Sequence, residues 1–189
     1  MPLSIPPAPG VVERTIDEAL RSAAVPAPRG LRFDRGALRP TLPLPVHRLA
    51  RLTAPAEPPT SRLTGWRCLL AQDGRSVGTA ECRLTAEGWE FSHFGEGPYI
   101  SSTERALRLA EERQEHYQPR LLSVPELYML TLWLHPDPSA DPAQGSPSGS
   151  DPLIPLAPAP PGIAAERLIT VDALVTLVAN RLAPLGLAS

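Results

Sequence analysis

The segment His93-Phe94-Gly95-Glu96-Gly97-Pro98-Tyr99 holds the densest set of chemically capable side chains in the sequence. An imidazole and a carboxyl three residues apart, His93 and Glu96, can act as acid and base on a bound molecule. Gly95 and Gly97 let backbone approach a ligand closely, and the helix start expected just beyond offers N–H groups to an anion. These features nominate His93, Glu96 and Tyr99 as a ligand-binding set. The same residues also suit a plain strand-to-helix turn, in which His93 ends a buried face and Ser101 occupies the first helical donors. No GxGxxG or GxxxxGK[ST] run accompanies them, so a nucleotide is not indicated.

A second stretch suits contact rather than catalysis. Six arginines and a single acid, Asp34, stand between residues 29 and 51. Arg29, Arg32, Phe33, Arg35 and Arg39 are nominated from it as partner-binding, because guanidinium groups pair with carboxylates and phosphates. Gly30, Gly36 and Pro40 rule out a continuous recognition helix. A net charge of −2 and a pI near 6.1 argue against nucleic acid. The favoured partner is an acidic protein surface, on another protein or on a second copy of this chain.

Other chemistries are closed by residue type. All 18 basic residues are arginine, which removes Schiff-base, Walker-A and Ser-Lys chemistry at once. This bias, with one asparagine (Asn180) and abundant Ala, Pro and Leu, suggests a high-GC bacterial source. His47, His93, His116 and His135 are far apart and Cys68 and Cys82 form no CxxC, so no zinc spacing and no cofactor are expected. No GxSxG turn marks a serine nucleophile. Early prolines and a first basic residue at Arg14 do not read as a signal peptide, and no run of eighteen uncharged apolar residues spans a membrane. A cytoplasmic protein is expected.

The elements that must position these residues follow from proline. Residues 1–60 hold twelve prolines, residues 61–134 three, and residues 135–189 ten. Since proline breaks helices and sheet ladders, regular structure should concentrate in the middle. Two domains are expected: a proline- and arginine-rich arm over 1–60 with a short helix, and an α+β domain over 61–189. The arm carries eight arginines against five acids, while the rest carries ten against fifteen. Thr15-Ile16-Asp17-Glu18 has the capping-box pattern for a helix to about Ala24, and Val46–Leu52 is the arm's strand candidate.

Trp66–Ala71, Val77–Leu84 and Trp89–Phe94 read as three consecutive antiparallel strands, joined at Asp73-Gly74-Arg75 and Thr85-Ala86-Glu87-Gly88. One register places Trp66, Cys68, Leu70, Ala80, Cys82, Leu84, Trp89 and Phe91 on one face. Arg67, Thr79, Glu81, Arg83, Glu90 and Ser92 then share the other. Cys68 and Cys82 become diagonal neighbours about 7–8 Å apart, too far for an unstrained bridge, and are expected as reduced core residues. A helix from Ser101 to about Tyr117 follows, then strands at Leu121–Val124, Leu127–Leu134 and Leu153–Leu156, with a helix capped by Ser123-Val124-Pro125-Glu126 as the alternative over 127–134. The last helix is expected over Val171–Leu182 with Thr170 as its cap. Residues 135–152 read as a mobile low-complexity loop.

The fold expected is thus a twisted, mainly antiparallel sheet with helices packed on one face. A non-catalytic interaction or accessory protein is the expected function, acting through the arm and the sheet on a protein partner or on itself. The alternative is a small-ligand binder or enzyme, with its pocket between sheet and helices near His93.

Overall fold

A computed structural model gives the structure of residues 2–26, 35–50 and 58–182. Along the chain run helix α1 (Gly10–Arg21), then strands β1 (Arg39–Leu49), β2 (Ser61–Gln72), β3 (Arg75–Thr85) and β4 (Gly88–Gly95). Helix α2 (Pro98–Glu111), strands β5 (Gln118–Val124), β6 (Met129–His135), β7 (Pro152–Pro155) and β8 (Ile169–Thr170), and helix α3 (Val171–Leu182) follow. The strands form one sheet in the order β4-β3-β2-β1-β5-β6-β7-β8. Every neighbouring pair is antiparallel except β1 with β5. This is the α+β class expected.

The expected register of the meander is present. Cys68 faces Ala80, Trp66 faces Cys82, and Cys82 faces Phe91. The register is interrupted at two points. Asp73 (φ 51°) and Gly74 (φ 75°) form a two-residue turn with both φ positive, the geometry that Asp-Gly favours. Gln72 then pairs with Arg75, and an extra residue at Val77 restores the spacing. Val77 thereby joins the apolar side. A second irregularity lies at Ser92: Phe91 pairs with Cys82, but His93 pairs with Glu81 and Phe94 with Ala80. This bulge turns Phe94 inward and His93 outward, where strict alternation would do the reverse.

β1 begins earlier than the Val46 expected and runs through three prolines. The reason lies in its partners. Only Val46, His47 and Arg48 pair with β5, so Pro40, Pro43 and Pro45 stand where one side of the strand needs no donor. Within the segment expected to be an arm, β1 is therefore a strand between β2 and β5, and α1 packs on the sheet.

The helices divide between the two faces of the sheet, rather than gathering on one. Val12, Ile16 and Leu20 of α1 cover Trp66, Cys68, Leu70, Ala80 and Cys82. The apolar meander face is thus shielded by the N-terminal helix and not by the two later ones, and Leu84 at its end is 46% exposed. α2 lays Ala106, Leu107 and Ala110 against Leu44, Leu121, Leu132 and Leu134. α3 lays Val171, Leu174 and Val178 against Leu122, Val124, Trp133 and Leu153. Since Leu121 and Leu122 alternate along β5, α2 and α3 lie on opposite sides, and β6 is covered on both as its apolar run predicts. Burying each of the Leu, Ile and Val side chains among these contributes roughly 1.5–3 kcal/mol.

Helix limits also differ from the capping-box expectations. α1 starts at Gly10, and the Thr15 hydroxyl donates back to the Val11 carbonyl instead of capping. α2 starts at Pro98, whose fixed φ suits a first helical position, so Ser101 and Thr103 lie inside it and bond the carbonyls of Pro98 and Tyr99. Tyr117 lies beyond α2 and pairs with Leu3. α3 matches expectation, with the Ala173 N–H donating to Thr170 Oγ1 at 3.3 Å. Pro125–Leu127 is a single 3-10 turn, so the strand expected from Leu127 starts at Met129.

Candidate functional site

His93 and Tyr99 of the set nominated for ligand binding bond to other residues and not to each other. His93 is exposed, on the β4 side that faces Glu81, with its Nδ1 3.1 Å from Ser92 Oγ. Glu96 is exposed in the turn before α2. Tyr99 packs against the α2 side of the sheet and donates its hydroxyl to the Pro158 carbonyl at 3.3 Å. The Trp66 face, which the pocket would have needed, is filled by α1.

Of the arginine set, Arg29, Arg32 and Phe33 lie outside the described residues. Arg35 opens a 3-10 turn, Arg35–Ala37. Arg39 is exposed and donates to the carbonyls of Gly36 at 2.8 Å and Leu38 at 3.0 Å. It lines an open cleft of about 630 Å³ with Asp17, Leu20 and Arg21 at the end of α1.

The strongest concentration of buried polar groups is elsewhere, where α3 leaves its face of the sheet uncovered. Gln118 and Arg120 are in phase on β5 with Leu122 and Val124, so they point to the α3 side. They pair with His135 and Trp133 of β6. His47 of β1 completes the group. The 136–151 loop roofs it. Arg120 is fully buried. Its Nε donates to Gln118 Oε1 at 2.8 Å, Nη2 to the Asp141 carbonyl at 3.1 Å, and Nη1 to the Gln144 carbonyl. Its guanidinium carbon lies 5.0 Å from the Trp133 ring centre. Gln118 Nε2 donates to the Ala140 carbonyl at 2.7 Å, and His47 Nε2 donates to the Pro142 carbonyl at 2.9 Å. Trp133 touches His47 and His135 edge-on, with centroids 5.4 and 5.3 Å away. The low-complexity loop is thus bonded at four of its carbonyls.

Electrostatics follow from burial. Desolvation pushes His47 down to about 4, with Arg120 and His135 adding to the fall and the Pro142 bond opposing it. Desolvation also lowers Arg120 to about 10 against the pull of Asp141, Asp137 and Asp151, leaving it charged at neutral pH. Burial likewise lowers His135, with Arg120 adding to the effect and the Asp137 backbone bond opposing it. Ser61 Oγ is 3.5 Å from His47 Nδ1 and 3.4 Å from the Gly145 carbonyl, distances too long for an activated hydroxyl.

The thiols are no more reactive. Burial raises Cys68 to about 12 and Cys82 to about 11, so neither is a thiolate at neutral pH. Both are unbridged and buried, as expected. Among the described residues no group of three or more His, Cys, Asp or Glu could hold a metal, and no helix is long and apolar enough to cross a membrane.

The sequence signal for this cluster was Gln118 and Arg120 at a spacing of two, in phase with Leu122 and Val124. That phase places polar groups on a face the apolar residues bury. No protein family, curated protein or solved structure matches the chain.

Proposed function

We propose that this chain is a non-catalytic interaction protein, binding another protein or a second copy of itself through its sheet and the basic N-terminal segment. One observation carries the reading: the chain's strongest nucleophiles are spent on the fold, since both thiols are protonated inside the α1 core. Supporting it, β4 is the end strand of the sheet, with Trp89 and Phe91 half-buried along it. End strands accept added strands readily. The exposed Arg39 gives the basic segment a contact point of the kind an acidic surface recognises.

Light scattering at rising concentration tests this, together with affinity capture on wild type and on Ser92→Lys, which places a charge on the exposed part of β4. Self-association, or a stoichiometric partner identified by mass spectrometry, should be weakened in the variant. A wild-type chain that stays monomeric and retains nothing overturns the reading.

A further inference from the structure

We propose that Arg120, with Gln118, His47 and His135 around it, is a binding site for a small oxyanion, a carboxylate or phosphate, closed here by the 136–151 loop. The inference does not depend on the interaction reading above. It starts from an imbalance. A buried arginine is ordinarily neutralised by a carboxylate in contact. Arg120 is fully buried, yet its three bonds end on the uncharged oxygens of Gln118, Asp141 and Gln144. Among the described residues no carboxylate pairs with it; Asp137, Asp141 and Asp151 act on it only through space. The loop carbonyls occupy the positions where an anion's oxygens would accept the same donors.

The roof is also of a kind that can lift. Between residues 136 and 150 only Pro147 is buried, so the loop is held by hydrogen bonds and not by apolar packing. Segments with few buried apolar contacts open most readily. Gly145 (φ 96°) sits directly over the two basic groups: a Cβ there would lie 3.4 Å from His135 Nε2 and 3.6 Å from Arg120 Nη1. What stays behind when the loop leaves is rigid. Gln118 Oε1 fixes the guanidinium at Nε, the Trp133 ring backs it, and all of these side chains stand on strands. The loop's far end remains tied, since Asp151 accepts the Trp133 indole N–H.

The test is thermal unfolding and hydrogen exchange of the full chain at neutral pH in sodium phosphate, sodium acetate and sodium chloride of matched ionic strength. At about ten times its Kd, phosphate or acetate should raise Tm by roughly 3–6 °C over chloride. It should at the same time speed amide exchange within 136–151. Arg120→Lys keeps the charge but loses the fork, and should weaken the anion about tenfold. Gly145→Ala strains only the closed loop and should tighten the anion about fivefold by favouring the open state. If Arg120→Lys does not fold, Gly145→Ala decides. The proposal is overturned if neither anion exceeds chloride, or if binding leaves the loop's exchange unchanged. It also fails if binding survives undiminished in Arg120→Lys, or if Gly145→Ala leaves the affinity unaltered.

Discussion

The buried carboxylate of Asp151 accepts the Trp133 indole N–H at 2.8 Å, and its second neighbour is the Ser148 N–H at 3.0 Å. The Asp151 carbonyl in turn accepts the Val171 N–H at 3.1 Å, at the first residue of α3. One residue therefore joins β6, the 136–151 loop and the last helix. Removing it leaves an indole N–H buried without a partner. Asp151→Ala should destabilise the fold by about 2–4 kcal/mol, and Asp151→Asn, which keeps an acceptor, by about half as much. Urea midpoints of the three chains check this ordering.

His47 sets a pH dependence with a definite sign. Its folded value is about 4 against an ordinary 6.5, because burial disfavours the imidazolium. Above pH 6.5 the group is neutral in both states and costs nothing. As pH falls through 6.5 the unfolded chain takes up a proton that the folded chain refuses, so stability drops until about pH 4 and then levels. The full loss is about 3 kcal/mol. His47→Gln retains a donor for the Pro142 carbonyl but cannot titrate. The difference between wild type and this variant, followed by urea melts from pH 7.5 to 5, should shrink by that route; a pH-independent difference contradicts it.

The thiols should be silent in the native state. An open cleft of about 220 Å³ reaches Cys68, yet the residue is only 4% exposed, and burial keeps both thiols protonated. Maleimide labelling followed by mass spectrometry should modify neither on the timescale that completes the reaction in urea. Rapid single labelling of the folded chain would show that the α1 core opens locally.

α1 supplies the cover of the meander, so its central side chain should matter as much as any strand residue. Ile16 is fully buried among Trp66, Cys68 and Cys82. Ile16→Ala should cost about 2–4 kcal/mol, read from chemical denaturation.

The pairing of Cys68 with Ala80 and of Cys82 with Phe91 was legible because three alternating runs and an Asp-Gly turn leave one phase that segregates apolar from polar. What covers that face was not. Alternation says that Trp66 and Cys82 are buried, but not that the cover comes from Val12 and Ile16, fifty or more residues earlier. His93 illustrates a second limit: period two places it inward with Trp89 and Phe91, and a one-residue bulge at Ser92 reverses it. β1 was obscured because proline argues against a strand, and the argument lapses where only one side of the strand is paired. Arg120 was passed over for a simpler reason. A charge beside an apolar run reads as the strand's solvated end, and only the loop that folds back over it makes it interior.

Tyr128 offers a test in which backbone conformation acts almost alone. It follows the Pro125–Leu127 turn at φ 50° and ψ 38°, in the left-handed region, and is 94% exposed. A bulky L residue there is strained by about 1 kcal/mol or more, and with the ring in solvent little packing offsets the strain. Glycine takes this conformation freely but adds disorder to the unfolded chain, and the two effects oppose each other. The steric term is the larger at a left-handed site, so Tyr128→Gly should stabilise the fold by roughly 0.5 kcal/mol. Tyr128→Val, branched at Cβ, should destabilise it by about 1 kcal/mol. Paired urea melts separate the signs, and a glycine variant less stable than wild type would mean that the exposed ring contributes a contact after all.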